Sequence, residues 1–248
     1  MQEKELAELL YRALKKGDVA SAISFLNQNL SSQKTEKLRF TRTPFLNSVG
    51  RELGRLLAQE EGWFEALMEL WKAGDRDAKL IVLSALGRLS KAHYPEVKDF
   101  VLKVLGEVSH WEICDQLALK VMVNLAVKQE EEIFSLLETW VSSPNKWLRR
   151  LAAATVPPFI RAKKDRAQIC LRLLEQLMED RDRDVQKAVS WALREVTKKD
   201  PAAVHAFLKK HARGAGPATR RIIREGMKKL PPESQGEIKA LMEGKNGE

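Results

Sequence analysis

Asp182-Arg183-Asp184-Val185-Gln186-Lys187-Ala188-Val189-Ser190-Trp191-Ala192-Leu193-Arg194-Glu195-Val196 decides how the rest of the chain is read. Val185, Val189, Leu193 and Val196 recur at helical spacing and form one apolar stripe. Lys187, Trp191 and Arg194, spaced by 4 and 3, form a second stripe on another face. Such a helix is apolar towards a core and aromatic-cationic towards something else. Similar openings recur at Asp75-Arg76-Asp77, His110-Trp111-Glu112, Asn145-Lys146-Trp147 and Pro217-Ala218-Thr219. With Asp182 in the series, their starts lie 35, 35, 37 and 35 residues apart. A period of this length, two helices per unit, marks an α-solenoid.

Periodicity elsewhere agrees. Leu6, Leu9, Leu10 and Leu14 form one stripe, and Leu80, Leu83, Leu86 and Leu89 another. Gly17-Asp18, Thr43-Pro44, Gly74-Asp75, Tyr94-Pro95, Ser143-Pro144, Asp200-Pro201, Gly216-Pro217 and Pro231-Pro232 punctuate the chain. The expectation is an all-α solenoid of about fourteen helices and no sheet. The Trp-Leu-Gly-Tyr pattern of tetratricopeptide repeats and the Thr-Pro-Leu-His of ankyrin are both missing, which leaves HEAT-like repeats. Helices are expected near Lys4–Lys16 and Val19–Leu30, followed by a polar, basic stretch from Ser31 to Arg42. One domain is expected over 1–248, with cap helices and a basic loop in 1–43, repeats in 44–230 and a C-terminal helix and tail in 231–248. Pro157-Pro158 interrupts a helical stretch, so that helix should kink or end there.

The 248 residues carry 43 Lys+Arg against 34 Asp+Glu, a formal charge of +9. From Arg161 to Leu230 there are 19 Lys+Arg against 9 Asp+Glu, so the excess belongs to the C-terminal third. In a curved solenoid, side chains one repeat apart become neighbours across a concave groove. A basic groove of that kind can follow a nucleic-acid backbone, driven by phosphate neutralisation and counterion release. The N-terminus lacks the apolar core of a secretory signal. The longest uncharged run, Val19 to Gln33, is too polar to cross a bilayer. Cys114 and Cys170 cannot make a disulfide framework. These features predict a soluble cytoplasmic protein.

Much catalytic equipment is missing. The sequence has no phosphate-cradling Gly-rich loop, no Cys-x-x-Cys and no His-Glu-x-x-His. His93, His110, His205 and His211 are scattered, which does not favour a metal site. What stands out lies at three successive helix openings. Trp111 and Asp115, four apart, share a face. Lys146-Trp147-Leu148-Arg149-Arg150 opens the next repeat, and Lys187, Trp191 and Arg194 follow. Ordinary roles compete for each: packing for Trp147, a solvated pair for Arg149-Arg150, and for Asp115 a ladder partner in a neighbouring repeat's Arg.

These segments resemble the AlkD family of DNA alkylation repair glycosylases, which are HEAT-like solenoids. The likeness runs from about Phe40 to Leu230 and is strongest from Trp140 to Leu208. It is most specific in Trp147-Leu148-Arg149-Arg150-Leu151-Ala152 and in Lys187 to Glu195. Asp200-Pro201-Ala202-Ala203-Val204 and, more weakly, Phe40-Thr41-Arg42-Thr43-Pro44 extend it. The chain departs from the pattern at His110, where the family has a second Trp, and at Ser190, where Gly is common. The resemblance implies that Asp115 is the catalytic carboxylate, with Trp111 and Trp191 as its aromatic partners. It places Arg150 and Arg194 on DNA, with Lys187, Arg149 and Trp147 beside them.

The implied activity is release of cationic N3- or N7-alkylated purines from duplex DNA in base excision repair. It proceeds without inserting the base into a pocket, and needs no metal or organic cofactor. The partner is double-stranded DNA and the protein a monomer associated with the nucleoid. Two other readings stay open: a non-catalytic DNA-binding solenoid and a protein–protein scaffold.

Overall fold

The computed structural model describes residues 2–31 and 41–244. Phe40 and nearly all of the basic stretch expected after the second helix lie outside the described residues. The chain divides into two compact units, 1–108 and 109–248. The first contains α1 (Glu3–Lys15), α2 (Val19–Ser31), α3 (Thr43–Leu57), α4 (Trp63–Ala73), α5 (Arg76–Leu89) and α6 (Tyr94–Val104). The second opens with α7 (Trp111–Leu117), a π turn (Ala118–Met122) and α8 (Val123–Lys128), which run on as one rod. It continues with α9 (Glu130–Trp140), α10 (Lys146–Ala162), α11 (Ala167–Glu175) and α12 (Arg183–Thr197). α13 (Pro201–Ala212), α14 (Pro217–Gly226) and α15 (Pro232–Met242) complete it. Among the described residues, counting the continuous rod once gives fourteen helices and no strand.

Within each unit the helices pack in two rows. In the first unit α1, α3 and α5 follow one another, with α2, α4 and α6 behind them. α1 and α2 thus extend the same two rows at the N-terminal end. In the second unit the α7–α8 rod, α10, α12 and α14 form one row, and α11, α13 and α15 follow one another in the other. This is the HEAT-like arrangement that the period implies.

The starts of α5, α7, α10 and α12 are fixed by local chemistry. Asp75, Asn145 and Asp182 each accept from the backbone N–H two residues on, at 3.0, 2.9 and 2.8 Å. His110 does the same through Nδ1 to the Glu112 N–H at 3.3 Å. Each satisfies a donor that the helix leaves open, a contribution of about 1 kcal/mol per cap. The repeat period is therefore a period of caps, and it sets a common register for every residue counted from them.

Rows stay close because small residues let backbones approach. A Cβ on Gly54 of α3 would lie 2.7 Å from the Ala85 carbonyl oxygen of α5. One on Gly226 of α14 would lie 2.8 Å from Leu193 Cδ1 of α12. Trp71 and Phe100 fill the core of the first unit, and Phe159 packs 4.7 Å from Phe134 in the second. α10 does not end at Pro157-Pro158 but runs on to Ala162, with both prolines buried inside it. No helix among the described residues is long and apolar enough to cross a membrane.

Candidate functional site

The site is built on the openings of α7, α10 and α12, all in the second unit. Asp115 lies five residues beyond the His110 cap, and Arg150 five beyond the Asn145 cap. Because α7 and α10 are packed neighbours, this shared register brings the two side chains together. Arg150 Nε and Nη2 donate to the two Asp115 carboxylate oxygens at 2.9 and 2.7 Å. Its third nitrogen, Nη1, donates to the Asp184 backbone carbonyl at 2.5 Å. The guanidinium is thus engaged on α7 and α12 at once.

Asp115 is the ladder partner of a neighbouring repeat's Arg, one of the ordinary roles that the sequence allows. It is also still open to solvent, with a side chain 15% exposed. Burial lifts its carboxyl above the usual carboxylate range; Arg150 works against that lift, and the Asp184 carboxylate adds to it. Both oxygens accept from a group that never deprotonates, so the geometry is that of the ionised form. Trp111, one turn earlier on the same face, is 50% exposed. The His110 ring lies 5.5 Å from the Trp111 ring. A carboxylate with limited solvent contact beside an exposed indole can stabilise a cation that forms against them.

The cationic residues expected on DNA fall into two sets. Arg150 is only 6% exposed and bonds wholly inward. Arg149 is held by Asp180 at 2.6 Å and by the carbonyls of Ser143 and Pro144 at 2.8 and 3.1 Å. Neither is the solvated pair that adjacent arginines suggest. Lys146 lies 4.6 Å above the Trp147 ring and donates to Asp184 at 3.0 Å. Trp147 is half-buried, and its carbonyl accepts from the Cys114 thiol at 3.5 Å. These residues brace the openings of α10 and α12 against each other.

The second set faces outward. Lys187 is exposed, with Nζ 3.8 Å from an Asp184 carboxylate oxygen. Among the described residues Arg194 donates to the Glu225 backbone carbonyl, at 3.1 Å. Both line a cleft of about 500 Å³ between α12 and α14. Trp191 is half-buried on α12, one turn beyond Lys187.

Sequence reasoning missed Asp184, whose carbonyl secures Arg150 and whose carboxylate secures Lys146. Its signal was present: it lies two residues past a cap, where Asp77 and Glu112 recur. It also missed Arg183 and Arg221, which line the cleft with Lys187 and Arg194.

Cap-registered helix pairs, with an inward carboxylate–guanidinium link between neighbouring repeats, define a HEAT-like repeat protein. The model of the DNA alkylation repair enzyme family matches residues 11–230, and the chain belongs to that family. AlkD2 from Streptococcus mutans shares the fold at 17% identity and a TM-score of 0.66, over 86% of this chain and 99% of that one. A predicted DNA alkylation repair enzyme from Enterococcus faecalis matches at 16% identity and 0.63, over 85% and 95% of the two chains. The Pseudomonas fluorescens alkylpurine DNA glycosylase AlkC, bound to DNA containing an abasic site analogue, matches at 14% and 0.55, over 92% and 64%. No curated relative matches the chain.

Proposed function

We propose that this protein is a DNA glycosylase that releases cationic N3- or N7-alkylated purines from duplex DNA. The observation that carries this reading is the Asp115 carboxylate, anchored by Arg150 through both oxygens yet open to solvent beside the exposed Trp111. Family membership and the likeness to AlkD2 and AlkC support it.

The chemistry needs little from the protein beyond placed charge. An N7-alkylguanine already carries a positive charge, so breaking its C1′–N bond expels a neutral base with the bonding electrons. The deoxyribose becomes an oxocarbenium ion, the kind of cation that carboxylates stabilise in glycosidases. Asp115 faces that cation and accepts a proton from the water that adds to C1′. Trp111 and Trp191 pack against the sugar and add cation–π attraction of about 0.5–2 kcal/mol each. Arg150 is a positioning residue for Asp115 rather than a phosphate ligand. Arg149, Lys146 and Trp147 support it from behind, while Lys187 and Arg194 meet the DNA backbone.

The damaged base is attacked without entering a pocket, and no metal or organic cofactor takes part. The protein acts in the cytoplasm, on the nucleoid, as a monomer in base excision repair.

The test is release of free base from duplexes carrying N7-methylguanine or N3-methyladenine, wild type beside Asp115→Asn. Release by wild type alone is expected. The inter-repeat link from Asp115 to Arg150 also fits a second reading, a shape-reading DNA binder in which the pair only braces α7 against α10. That reading predicts salt-sensitive binding and no release from either protein.

A further inference from the structure

The cleft between α12 and α14 contains more positive charge than the reading above uses. Four cationic side chains line it: Arg183, Lys187, Arg194 and Arg221. Its one carboxylate, Glu225, is drawn away by Lys228 at 2.6 Å. Arg183 is exposed and has no hydrogen-bond or ion-pair partner among the described residues.

Arg221 is pre-oriented. Its Nη1 donates to Gln186 Oε1 at 2.8 Å, and Gln186 is only 2% exposed. The Gln186 amide in turn donates to the Asp180 carbonyl at 2.7 Å. A buried amide satisfied on both sides fixes the guanidinium's direction before any ligand arrives, which removes part of the ordering cost of binding. Arg221 lines the cleft with the other three cations, where the carboxylates nearby are Glu225, paired with Lys228, and Asp184, 3.8 Å from Lys187. Ser190, 3% exposed, closes the floor with its hydroxyl bonded to the Gln186 carbonyl at 2.8 Å.

Register points the same way. Five residues beyond the N-caps of α7, α10, α12 and α14 lie Asp115, Arg150, Lys187 and Arg221. The first two cancel; the last two do not. We propose that Arg183 and Arg221, with Lys187 and Arg194, form a preformed seat for consecutive phosphodiesters of one DNA strand, carrying the interface onto α14, beyond the carboxylate site. This rests on the DNA-binding part of the proposed function and not on the glycosylase step.

The experiment measures affinity for undamaged duplex DNA from 50 to 200 mM salt, so it does not depend on chemistry. The proteins are wild type, Arg183→Ala/Arg221→Ala, Arg221→Lys and a control, Lys209→Ala on α13 in the other row, with thermal melts to confirm folding. Each phosphate contact contributes a slope of about 0.9 in log affinity against log salt. The double variant should therefore lose roughly ten-fold less affinity than wild type across that salt range. Arg221→Lys should keep the slope but bind more weakly, because a lysine loses the Gln186 anchor, and Lys209→Ala should match wild type.

An unchanged slope in the double variant overturns the proposal. So does a wild type that fails to bind duplex, or an equal loss in Lys209→Ala, which would mean diffuse charge rather than a seat. A normal cleft result beside absent base release would instead remove the glycosylase reading alone.

Discussion

Leu80 of α5 and Asp115 of α7 occupy the same register, five residues beyond a cap, yet they do opposite things. Leu80 is 0% exposed and serves the core of the first unit. Asp115 carries charge at the equivalent place in the second. The α3–α5 pair is closed by apolar side chains, one buried neutral hydrogen bond from Ser84 to Asn47 at 2.9 Å, and the close approach at Gly54. The α7–α10 pair is closed in part by a salt bridge, an inferior way to gain stability because both ions lose water. The backbone repeat is indifferent to which is used. In the proposed function, the same register position that serves packing in the first unit carries the reactive carboxylate in the second.

That comparison can be broken by making the second unit resemble the first. Asp115→Leu alone strands the buried Arg150 and should cost about 3–5 kcal/mol, read from denaturant unfolding. Asp115→Leu with Arg150→Met removes both charges and should return stability to within about 1 kcal/mol of wild type or above it. If the single variant is as stable as wild type, the ion pair is not a buried link between α7 and α10.

Trp111→Ala and Trp191→Ala sharpen the comparison from the aromatic side. Each should lose about 0.5–2 kcal/mol of transition-state stabilisation in single-turnover base release, with little change in folding stability. A large loss of stability would make these indoles packing residues, as Trp71 is in the first unit.

The smallest effect is one of pH. Burial raises the Asp115 pKa, so the acid limb of base release should lie above that of an ordinary aspartate. As pH falls through that raised value the carboxylate is protonated and activity is lost. Arg150→Lys weakens the bidentate hold on the ion and should move the limb higher still. A limb that moves down, or does not move, means that Asp115 is not the group titrating.

The fold was legible because its signals are local. The helix expected near Lys4–Lys16 is Glu3–Lys15, and that near Val19–Leu30 is Val19–Ser31. Caps and apolar spacing specify both without reference to the rest of the chain. The site was legible where one helix suffices, as in the four-residue spacing of Trp111 and Asp115. It was not legible where two helices meet. Nothing local to Arg149-Arg150 says that Asp180 and Asp115, both about one repeat away, will draw both arginines inward. The π turn after Asp115 and the passage of α10 through Pro157-Pro158 were hidden for the same reason, being settled by neighbours in the packed row. Arg221 could have been found by counting from each cap.

The most direct test of the account is single-turnover release of N7-methylguanine from duplex DNA by wild type and Asp115→Asn at saturating protein. Asparagine keeps the shape but not the charge, so release should fall about 10²- to 10³-fold while duplex binding persists. Equal release by both proteins, or none by wild type, would contradict the assignment of Asp115 as the group that meets the developing cation.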